Sequence, residues 1–174
     1  MKRSVGLVVM TQIPDDAGVN QIVAVLQKRS CYSLERMAPR FYPGCLQVTC
    51  HGKLEPDEDW ENGLLRELGE ELGKPLARIY LDCAHHRQVL ISQQTPREEV
   101  VTYGTIIPIE IIRDYARLDP DSGGLVFVTA EQVAEIVEIT DDMKVKGPEY
   151  THTLAMFPDE AEAVKKAFEL IGKM

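Results

Sequence analysis

The chain has 174 residues, of which 44% are hydrophobic and 27% are charged, and its formal net charge at pH 7 is −9. This length fits one domain with a sizeable core, and the composition argues against extended disorder. The excess of acid argues against a partner held mainly through its phosphate backbone, such as a long nucleic acid, because that binding depends on Lys and Arg.

The cysteines give a first indication of the cellular compartment. Cys31, Cys45, Cys50 and Cys83 form no C-x-x-C pair, and neither an apolar signal sequence nor an 18-residue apolar span is present. We therefore expect a cytoplasmic protein with no membrane partner and with buried free thiols. Cys45, Cys50 and His51 could be considered as zinc ligands, but their spacing matches no standard zinc pattern.

The first third of the chain predicts strands. Two β-branched apolar runs, Ser4–Met10 and Gln21–Ser30, flank a loop rich in Pro, Asp and Gly, which is typical of a hairpin. Prolines and a glycine then interrupt the pattern over residues 31–44. The alternating segment Cys45–Cys50 predicts a short strand that leads directly into His51 and Gly52.

A helix of about fifteen residues follows, and both of its ends are marked. Glu55, Pro56 and Asp57 give a start signal, whereas Gly73 before Lys74 and Pro75 is typical of a helix stop. The helix therefore lies within residues 58–72.

The predicted helix carries two neighbouring stripes, one apolar and one acidic. At 100° per residue the leucines form the stripe expected to pack on the sheet, and three glutamates lie beside it. The members are Leu64, Leu65, Leu68 and Leu72 in the first stripe and Glu67, Glu70 and Glu71 in the second.

Gathering three carboxylates on one helix has an energetic cost. Each like-charged pair at i,i+3 or i,i+4 costs roughly 0.2–0.5 kcal/mol. A hard divalent ion such as Mg²⁺ or Mn²⁺ would turn this repulsion into affinity, since it prefers oxygen ligands and also binds phosphate. Arg66, four residues before Glu70, could hold that carboxylate in place. The alternative is an ordinary solvated charged face.

The second half of the chain alternates strand and helix signals. Mixed strands with a central and a C-terminal helix predict an α/β fold. The strands are predicted at Arg78–Gln93, Glu99–Ile109 and Leu125–Thr129, and the helices at Glu110–Leu118, Ala130–Glu138 and Asp159–Lys173.

The acidic helix is part of a longer pattern. Gly52, Glu58, the run Arg66-Glu67-Leu68, the pair Glu70-Glu71 and Gly73 are spaced as in the signature G-x5-E-x7-R-E-U-x-E-E-x-G-U, and the segment therefore resembles the Nudix hydrolases. With each residue type used at roughly 5–10%, seven fixed positions recur by chance in about one window in 10⁸. Two positions depart from the pattern: Lys74 replaces an aliphatic residue, and His51 replaces a glycine that often precedes the signature.

The resemblance implies a fold and a reaction. The fold would be an α/β/α sandwich with a mixed sheet and the Nudix loop–helix–loop, in a single Nudix hydrolase domain over residues 1–174. The activity would be Mg²⁺- or Mn²⁺-dependent hydrolysis of the pyrophosphate bond of a nucleoside diphosphate linked to another moiety. A homodimer is common in the family, and the strand segment 100–109 could supply its interface.

The resemblance also implies roles for individual residues. Glu67 and Glu71 would be metal ligands, and Glu70 a ligand or the general base. The roles outside these three glutamates are implied as follows: Glu58 steadies the loop or acts through water, Arg66 orients a glutamate, Gly52 allows the backbone to turn, and His51 narrows or re-aims the phosphate loop.

Many family members use a further acid from outside the signature, and five candidates are open. Glu99 is preferred because it begins a long strand, although loop and capping acids are common. The other candidates are Glu98, Asp119, Asp121 and Glu131.

Two other functions compete with hydrolysis. An isopentenyl diphosphate isomerase is similar around "YPGCLQVTCHGKLE", but its essential cysteine precedes the glycine where this chain has His51, and Cys50 is one residue too early. A Nudix-fold ligand-binding or regulatory domain without catalysis is the second alternative. In any of these cases the small-molecule substrate would be selected by loops such as residues 31–44 and 94–98.

Overall fold

A computed structural model describes residues 1–83, 85–148 and 152–172, and for Cys83, His85 and His86 it describes the backbone only. Within these ranges seven strands form one mixed sheet with helices on both faces, as an α/β/α sandwich requires. Two further pairs, β3 with β4 and β10 with β11, form small two-stranded sheets. All described strands, in chain order, are β1 (Lys2–Pro14), β2 (Asn20–Arg29), β3 (Tyr32–Ser33), β4 (Ala38–Pro39), β5 (Leu46–Gln47), β6 (Cys50–Lys53), β7 (His85–Gln94), β8 (Glu98–Ile106), β9 (Ser122–Thr129), β10 (Val137–Glu138) and β11 (Ala155–Met156).

Six helices accompany these strands in the described ranges. They are α1 (Trp60–Glu71), α2 (Lys74–Cys83), α3 (Ile109–Tyr115), α4 (Ala130–Val133), α5 (Met143–Lys146) and α6 (Pro158–Leu170). None of them is both long enough and apolar enough to cross a membrane.

The long strand β1 organises the sheet because it changes partner along its length. One edge pairs in parallel with β8, whereas the other pairs antiparallel first with β6 and then with β2. At the change of partner the backbone N–H of Val9 donates to the Thr49 hydroxyl at 2.7 Å. Strands β6 and β2 therefore diverge at this point, and the space between them opens toward α1.

Alternation along β1 creates two cores, one on each face. Val5, Leu7 and Val9 pack toward α1, α2 and α3, whereas Val8 and Met10 pack toward α6. All five side chains are almost completely buried. The sheet therefore holds α1 firmly on one face, which fixes the acidic stripe of this helix.

The helix between residues 58 and 72 is confirmed. It begins at Trp60, where the Asp59 side chain accepts from the backbone N–H of Asn62, and it ends at Glu71. Gly73 has φ +97°, and an added Cβ would lie 2.7 Å from that of Arg117. Glycine is therefore required at this exit both for the left-handed backbone and for the close approach.

The strand predicted at Arg78–Gln93 is wrong in its first part. Residues Lys74–Cys83 form α2, and β7 begins only at His85. Pro75 is acceptable in the first turn of a helix, and Leu76 and Tyr80, four residues apart, are buried together against α1. Gly73 thus separates two helices, and Lys74 stands exposed at the start of the second.

Other predicted elements differ mainly in length. The helix predicted at Ala130–Glu138 ends at Val133, because residues 137–138 pair with β11. The C-terminal helix begins at Pro158, and Lys173 lies outside the described residues. Strand β8 is an interior strand, paired with β1 and β7, so it has no free edge for the dimer interface expected there.

The expected buried thiols are confirmed at Cys45 and Cys50 only. Cys31 is exposed, because it lies in the short connection between β2 and β3. The side chain of Cys83 lies outside the described part of the chain.

Candidate active site

A cleft of about 520 Å³ opens where β2 and β6 diverge. Its floor is formed by β6 and the C-terminal half of α1, and the segment that carries β3 and β4 forms one wall. The cleft is lined almost entirely by polar and charged side chains, and none of the lining residues is Phe, Tyr or Trp. The acidic members are Glu35, Glu67, Glu70, Glu71, Asp119 and Asp121.

Gly52 is required for the position of Glu67. It lies in β6, paired with Val5, and its φ is not in the left-handed region, so the expected role in a backbone turn is wrong. An added Cβ would instead overlap the Glu67 carboxylate group. The missing side chain at this position therefore makes the cradle in which the Glu67 carboxylate rests against the strand.

Arg66 holds two carboxylates of the signature at once. Its Nε and Nη2 atoms donate to the two oxygens of Glu58, each at 3.0 Å, and Nη1 donates to Glu67 at 2.8 Å. Nη2 also donates to the Lys53 carbonyl at 2.7 Å. The oxygens of Glu70 lie farther away, at 3.3 and 3.4 Å, so Arg66 orients Glu67 more closely than Glu70.

Glu58 has a structural role in the loop before α1. These hydrogen bonds from Arg66 hold the pKa of Glu58 below its usual range. Its carboxylate also accepts from the Glu55 backbone N–H at 2.9 Å. Neither Glu58 nor Arg66 is among the residues that line the cleft. Glu58 therefore closes the loop before α1 and fixes Arg66.

Glu71 is held from the side of the sheet. Its Oε2 accepts from the Gln27 side chain at 2.9 Å and from the His51 backbone N–H at 3.3 Å. Burial raises the pKa of Glu71 to about 8, although the His51 hydrogen bond opposes this shift. Burial also raises the pKa of Glu67, against the effect of Arg66.

Gln27 was missed by sequence reasoning. It is almost completely buried, donates also to the Thr49 carbonyl at 2.9 Å, and accepts from the Ser122 hydroxyl at 3.0 Å. Along β2 the alternation Val23, Val25, Gln27 continues an inward-facing row with a polar residue. A polar residue in an otherwise apolar row is the sequence signal from which Gln27 could have been predicted as a site residue.

Glu70 and His51 both line the cleft, as expected for site residues. The Glu70 side chain is 61% exposed and has only its loose contact with Arg66 among the described residues. His51 faces both the cleft and a small cavity, and burial lowers its pKa. The Glu70 carboxylate is therefore open to the cleft, whereas the partly buried His51 imidazole favours its neutral form.

The donor set fits a hard divalent cation in its chemistry. Glu67, Glu70 and Glu71 present carboxylate oxygens to one cleft, and two of them are buried enough for their charge to be disfavoured. Among the described residues, however, no three His, Cys, Asp or Glu side chains stand close enough to hold a metal ion. Arg66 and Gln27 occupy the carboxylates instead, so metal binding by these glutamates stays a prediction.

Two of the five candidate acids outside the signature line the cleft, and the preferred candidate, Glu99, does not. Glu99 lies 3.6 Å from the Arg3 guanidinium and does not line the cleft. Asp119 and Asp121 do line it, on the loop whose Asp119 N–H donates to the Glu71 carbonyl at 2.9 Å. The register of β8 with β1 brings Glu99 beside Arg3, whose guanidinium lies over the Trp60 ring at the start of α1, at the end of the helix opposite to the acidic stripe.

The remaining two candidates are also outside the cleft. Glu98 pairs with Lys2 at 2.6 Å, and Glu131 lies beside Thr129 at the start of α4. No residue of the loop 94–98 lines the cleft either, whereas the segment 31–44 contributes Glu35, Arg36 and Arg40.

Glu160, in the first turn of α6, borders the small cavity that His51 also lines. Its Oε2 atom is inaccessible to solvent and has no hydrogen-bond partner among the described residues. Burial, reinforced by Asp159, raises the pKa of Glu160 to about 8. The carboxyl is therefore neutral in the folded chain at acidic pH, and its ionisation above that range is unfavourable.

Replacing Glu160 by Gln is expected to stabilise the protein increasingly as the pH rises above 4.5, with the largest gain above about pH 8. The favourable neutral form is fully present below the unfolded pKa of 4.5 and is lost as the pH rises through about 8. At pH 9 the gain should be roughly 1–3 kcal/mol, because the buried carboxyl has to ionise at that pH whereas the amide of the variant stays neutral. Urea unfolding of both proteins at pH 5 and pH 9 measures the effect, and equal gains at both values would contradict the assignment.

Comparison with known families gives one match for the sequence. The model of the NUDIX domain family matches residues 3–141, which is most of the chain and contains every residue of the signature. A comparison with curated proteins gives no match.

Solved structures share the fold at low identity. A mutT/nudix family protein from Listeria innocua aligns with a TM-score of 0.61 and 18% identity, over 99% of this chain and 94% of that one. An Ap4A hydrolase from C. elegans aligns with a TM-score of 0.55 and 13% identity, over the whole of both chains. The NUDIX domain of Shewanella oneidensis NrtR, complexed with ADP ribose, aligns with a TM-score of 0.52 and 16% identity, over 96% of this chain and 86% of that one.

Proposed function

The chain belongs to the NUDIX domain family, and on that basis we propose that it is a divalent-metal-dependent hydrolase that cleaves the pyrophosphate bond of a nucleoside diphosphate linked to another moiety. The observation that carries the proposal is the cradle at Gly52, in which Glu67 is held by Arg66 beside Glu71. A solvated charged face would need no such arrangement, since its carboxylates would point to bulk water.

The chain's own residues divide the work in the proposed reaction. Glu67 and Glu71 would hold the ion, Glu70 would be a ligand or the general base, and Arg66 with Glu58 would orient Glu67. His51 and Gly52 would border the bound diphosphate on β6. When bound, Mg²⁺ or Mn²⁺ would neutralise phosphate oxygens and lower the pKa of a water molecule.

Arg66→Lys is expected to lower kcat/KM about 10–100-fold, the usual effect of losing a residue that positions metal ligands. Lysine keeps the positive charge but cannot donate in parallel to both Glu58 oxygens while also reaching Glu67. Steady-state assays over a range of Mg²⁺ concentrations measure the loss. Arg113→Lys is the matched control, because Arg113 is exposed on α3 and pairs with Asp114. Equal rates for the two variants would contradict a positioning role for Arg66.

A hydrolysis screen tests the proposal as a whole. The full chain is incubated with Mg²⁺ or Mn²⁺ and with nucleotide sugars, ADP-ribose, dinucleoside polyphosphates, nucleoside triphosphates, coenzyme A and non-nucleotide diphosphates. Metal-dependent release of a mononucleotide or phosphate is the expected result. Ligand binding without turnover would instead support a binding or regulatory domain.

The isomerase alternative finds no support at its critical position. Cys50 is completely buried and in contact with Glu71, and burial raises its pKa well above the usual value. A completely buried thiol in this position has no exposed surface that a substrate could contact. The single domain over residues 1–174, the cytoplasmic location and the homodimer stay predictions.

A further inference from the structure

The cleft contains a second charged surface opposite the acidic stripe. Six cationic side chains line the cleft, and four of them lie together at the end of β2 and on the segment 31–44, which we term the basic wall. The basic wall consists of Lys28, Arg29, Arg36 and Arg40.

The basic wall forms no close ion pair among the described residues, although Arg40 and Arg36 are near enough to contribute, after the hydrogen bonds that its carboxylate accepts, to the lowered pKa of Asp121. None of its four side chains forms an ion pair within 4 Å in the described part of the chain, although acids outnumber bases by 28 to 19 in the sequence. Arg29 and Arg40 are near enough for their repulsion to contribute, after burial, to a lowered pKa at Arg29. Like charges held together in this way favour an anion between them.

Neutral acceptors fix the two arginines and leave donors free. Arg29 donates through Nε to the Phe41 carbonyl at 3.2 Å and through Nη1 to Gln47 at 3.3 Å. Arg40 donates through Nη1 to the Asp121 carbonyl at 2.8 Å. A guanidinium has five N–H donors, so both arginines keep several for a phosphate group.

The two aspartates on the same side of the cleft as the basic wall already accept hydrogen bonds from neighbouring residues. Asp121 accepts from the Ser33 hydroxyl at 2.5 Å and from the Leu34 N–H at 2.6 Å, and Asp119 accepts from the Asp121 N–H at 2.7 Å. Glu35 is exposed beside Arg36. The segment 31–44 is thus fastened by the two aspartates, and its arginines remain available.

The residues that line the cleft indicate which part of a substrate it can recognise. A nucleobase is usually bound by stacking on an aromatic or apolar surface, and the cleft lining contains no Phe, Tyr, Trp or aliphatic side chain. A diphosphate that joins two organic groups carries only about two negative charges, which one divalent ion would already balance. The basic wall, which forms no close ion pair in the described part of the chain, then stays available for a further phosphate.

From these observations we infer that the basic wall is a phosphate-binding subsite, and that the substrate carries three or more phosphates whose chain, and not its base, is recognised. The inference rests on the proposed function for the reaction itself. It assigns the diphosphate under attack to the acidic side of the cleft and the additional phosphate to Arg29, Arg36 and Arg40.

Binding and turnover test the inference separately. Methylene-bridged analogues of pyrophosphate and tripolyphosphate, which resist hydrolysis, are titrated into the full chain at fixed free Mg²⁺ by calorimetry. We expect the triphosphate analogue to bind at least about tenfold tighter, and Arg36→Gln or Arg40→Gln to reduce that ratio below about threefold. Arg113→Gln, which removes a charge outside the cleft, should leave the ratio unchanged.

The hydrolysis arm compares ADP-ribose, ATP, GTP and diadenosine tetraphosphate. Values of kcat/KM should rise with phosphate number and differ less than about threefold between ATP and GTP. Hydrolysis of diphosphates with no preference for longer chains, or a tenfold preference for one base, would overturn the inference while leaving the proposed function intact. Tighter binding of the triphosphate analogue without hydrolysis of any substrate would overturn the proposed function alone.

Discussion

Glu71→Gln is expected to reduce Mg²⁺-dependent hydrolysis roughly 10³-fold, which corresponds to about 4 kcal/mol of transition-state stabilisation. The substitution keeps the shape of the side chain and its ability to accept from Gln27 and from the His51 N–H. It removes the negative charge that the proposed ion requires. Rates at saturating substrate and several Mg²⁺ concentrations measure the loss.

The fold should survive this substitution. Because burial raises the pKa of Glu71 to about 8, a neutral side chain is no less compatible with the site, and the Tm at pH 8 should be equal or higher. Glu61→Gln is the matched control on the same helix, since Glu61 is exposed and pairs with Arg87. A near-normal rate for Glu71→Gln would refute the metal-ligand assignment.

The same pKa gives a pH dependence for ion binding. In the metal-free chain Glu71 binds a proton up to about pH 8, and a cation has to displace it. Mg²⁺ affinity should therefore fall up to about tenfold per unit as the pH decreases below 8. Calorimetric titration between pH 6 and 9 measures this slope, which should be smaller in Glu71→Gln.

Gly52→Ala is expected to lower kcat/KM at least about 10²-fold, because a displaced carboxylate loses its alignment with the reacting group. The added methyl group would overlap the Glu67 carboxylate, which would have to leave the cradle and its contact with Arg66. Steady-state kinetics and thermal unfolding of the same preparations separate loss of activity from loss of fold.

A second glycine on α1 provides the control. A Cβ at Gly69 would lie 3.7 Å from that of Ala77, an ordinary packing distance. Gly69→Ala should therefore stabilise the helix by roughly 0.5–1 kcal/mol and leave the rate within about twofold. If Gly52→Ala were as active as Gly69→Ala, the cradle would not be needed for function.

The sequence predicted the site better than its surroundings. The spacing of Glu67, Glu70 and Glu71 against the leucine stripe depends on helix geometry alone, and helix geometry is periodic. The extra helix α2 was missed because Gly73 and Pro75 together are typical of a stop. Only packing of Leu76 and Tyr80 on α1 shows that a second helix starts there.

Residues brought together by long-range pairing could not be predicted. Gln27, Arg29 and Arg40 reach the cleft because β2 lies beside β1 where β6 ends, and no local pattern encodes that neighbourhood. The preference for Glu99 failed for the same reason. Its place in the sheet depends on which strand pairs with β1, and this pairing puts it beside Arg3.

The hydrogen bonds of Gln27 limit how this protein could be re-engineered. One amide joins Glu71 to Ser122, and the neighbouring Asp121 fastens the segment 31–44 through Ser33 and Leu34. A graft that replaces residues 31–44 alone and lacks a hydroxyl at position 33, or has a different backbone at position 34, would weaken these hydrogen bonds and loosen the support of Glu71. Exchange of specificity between homologues therefore has to transfer that segment and the loop 119–122 as one unit.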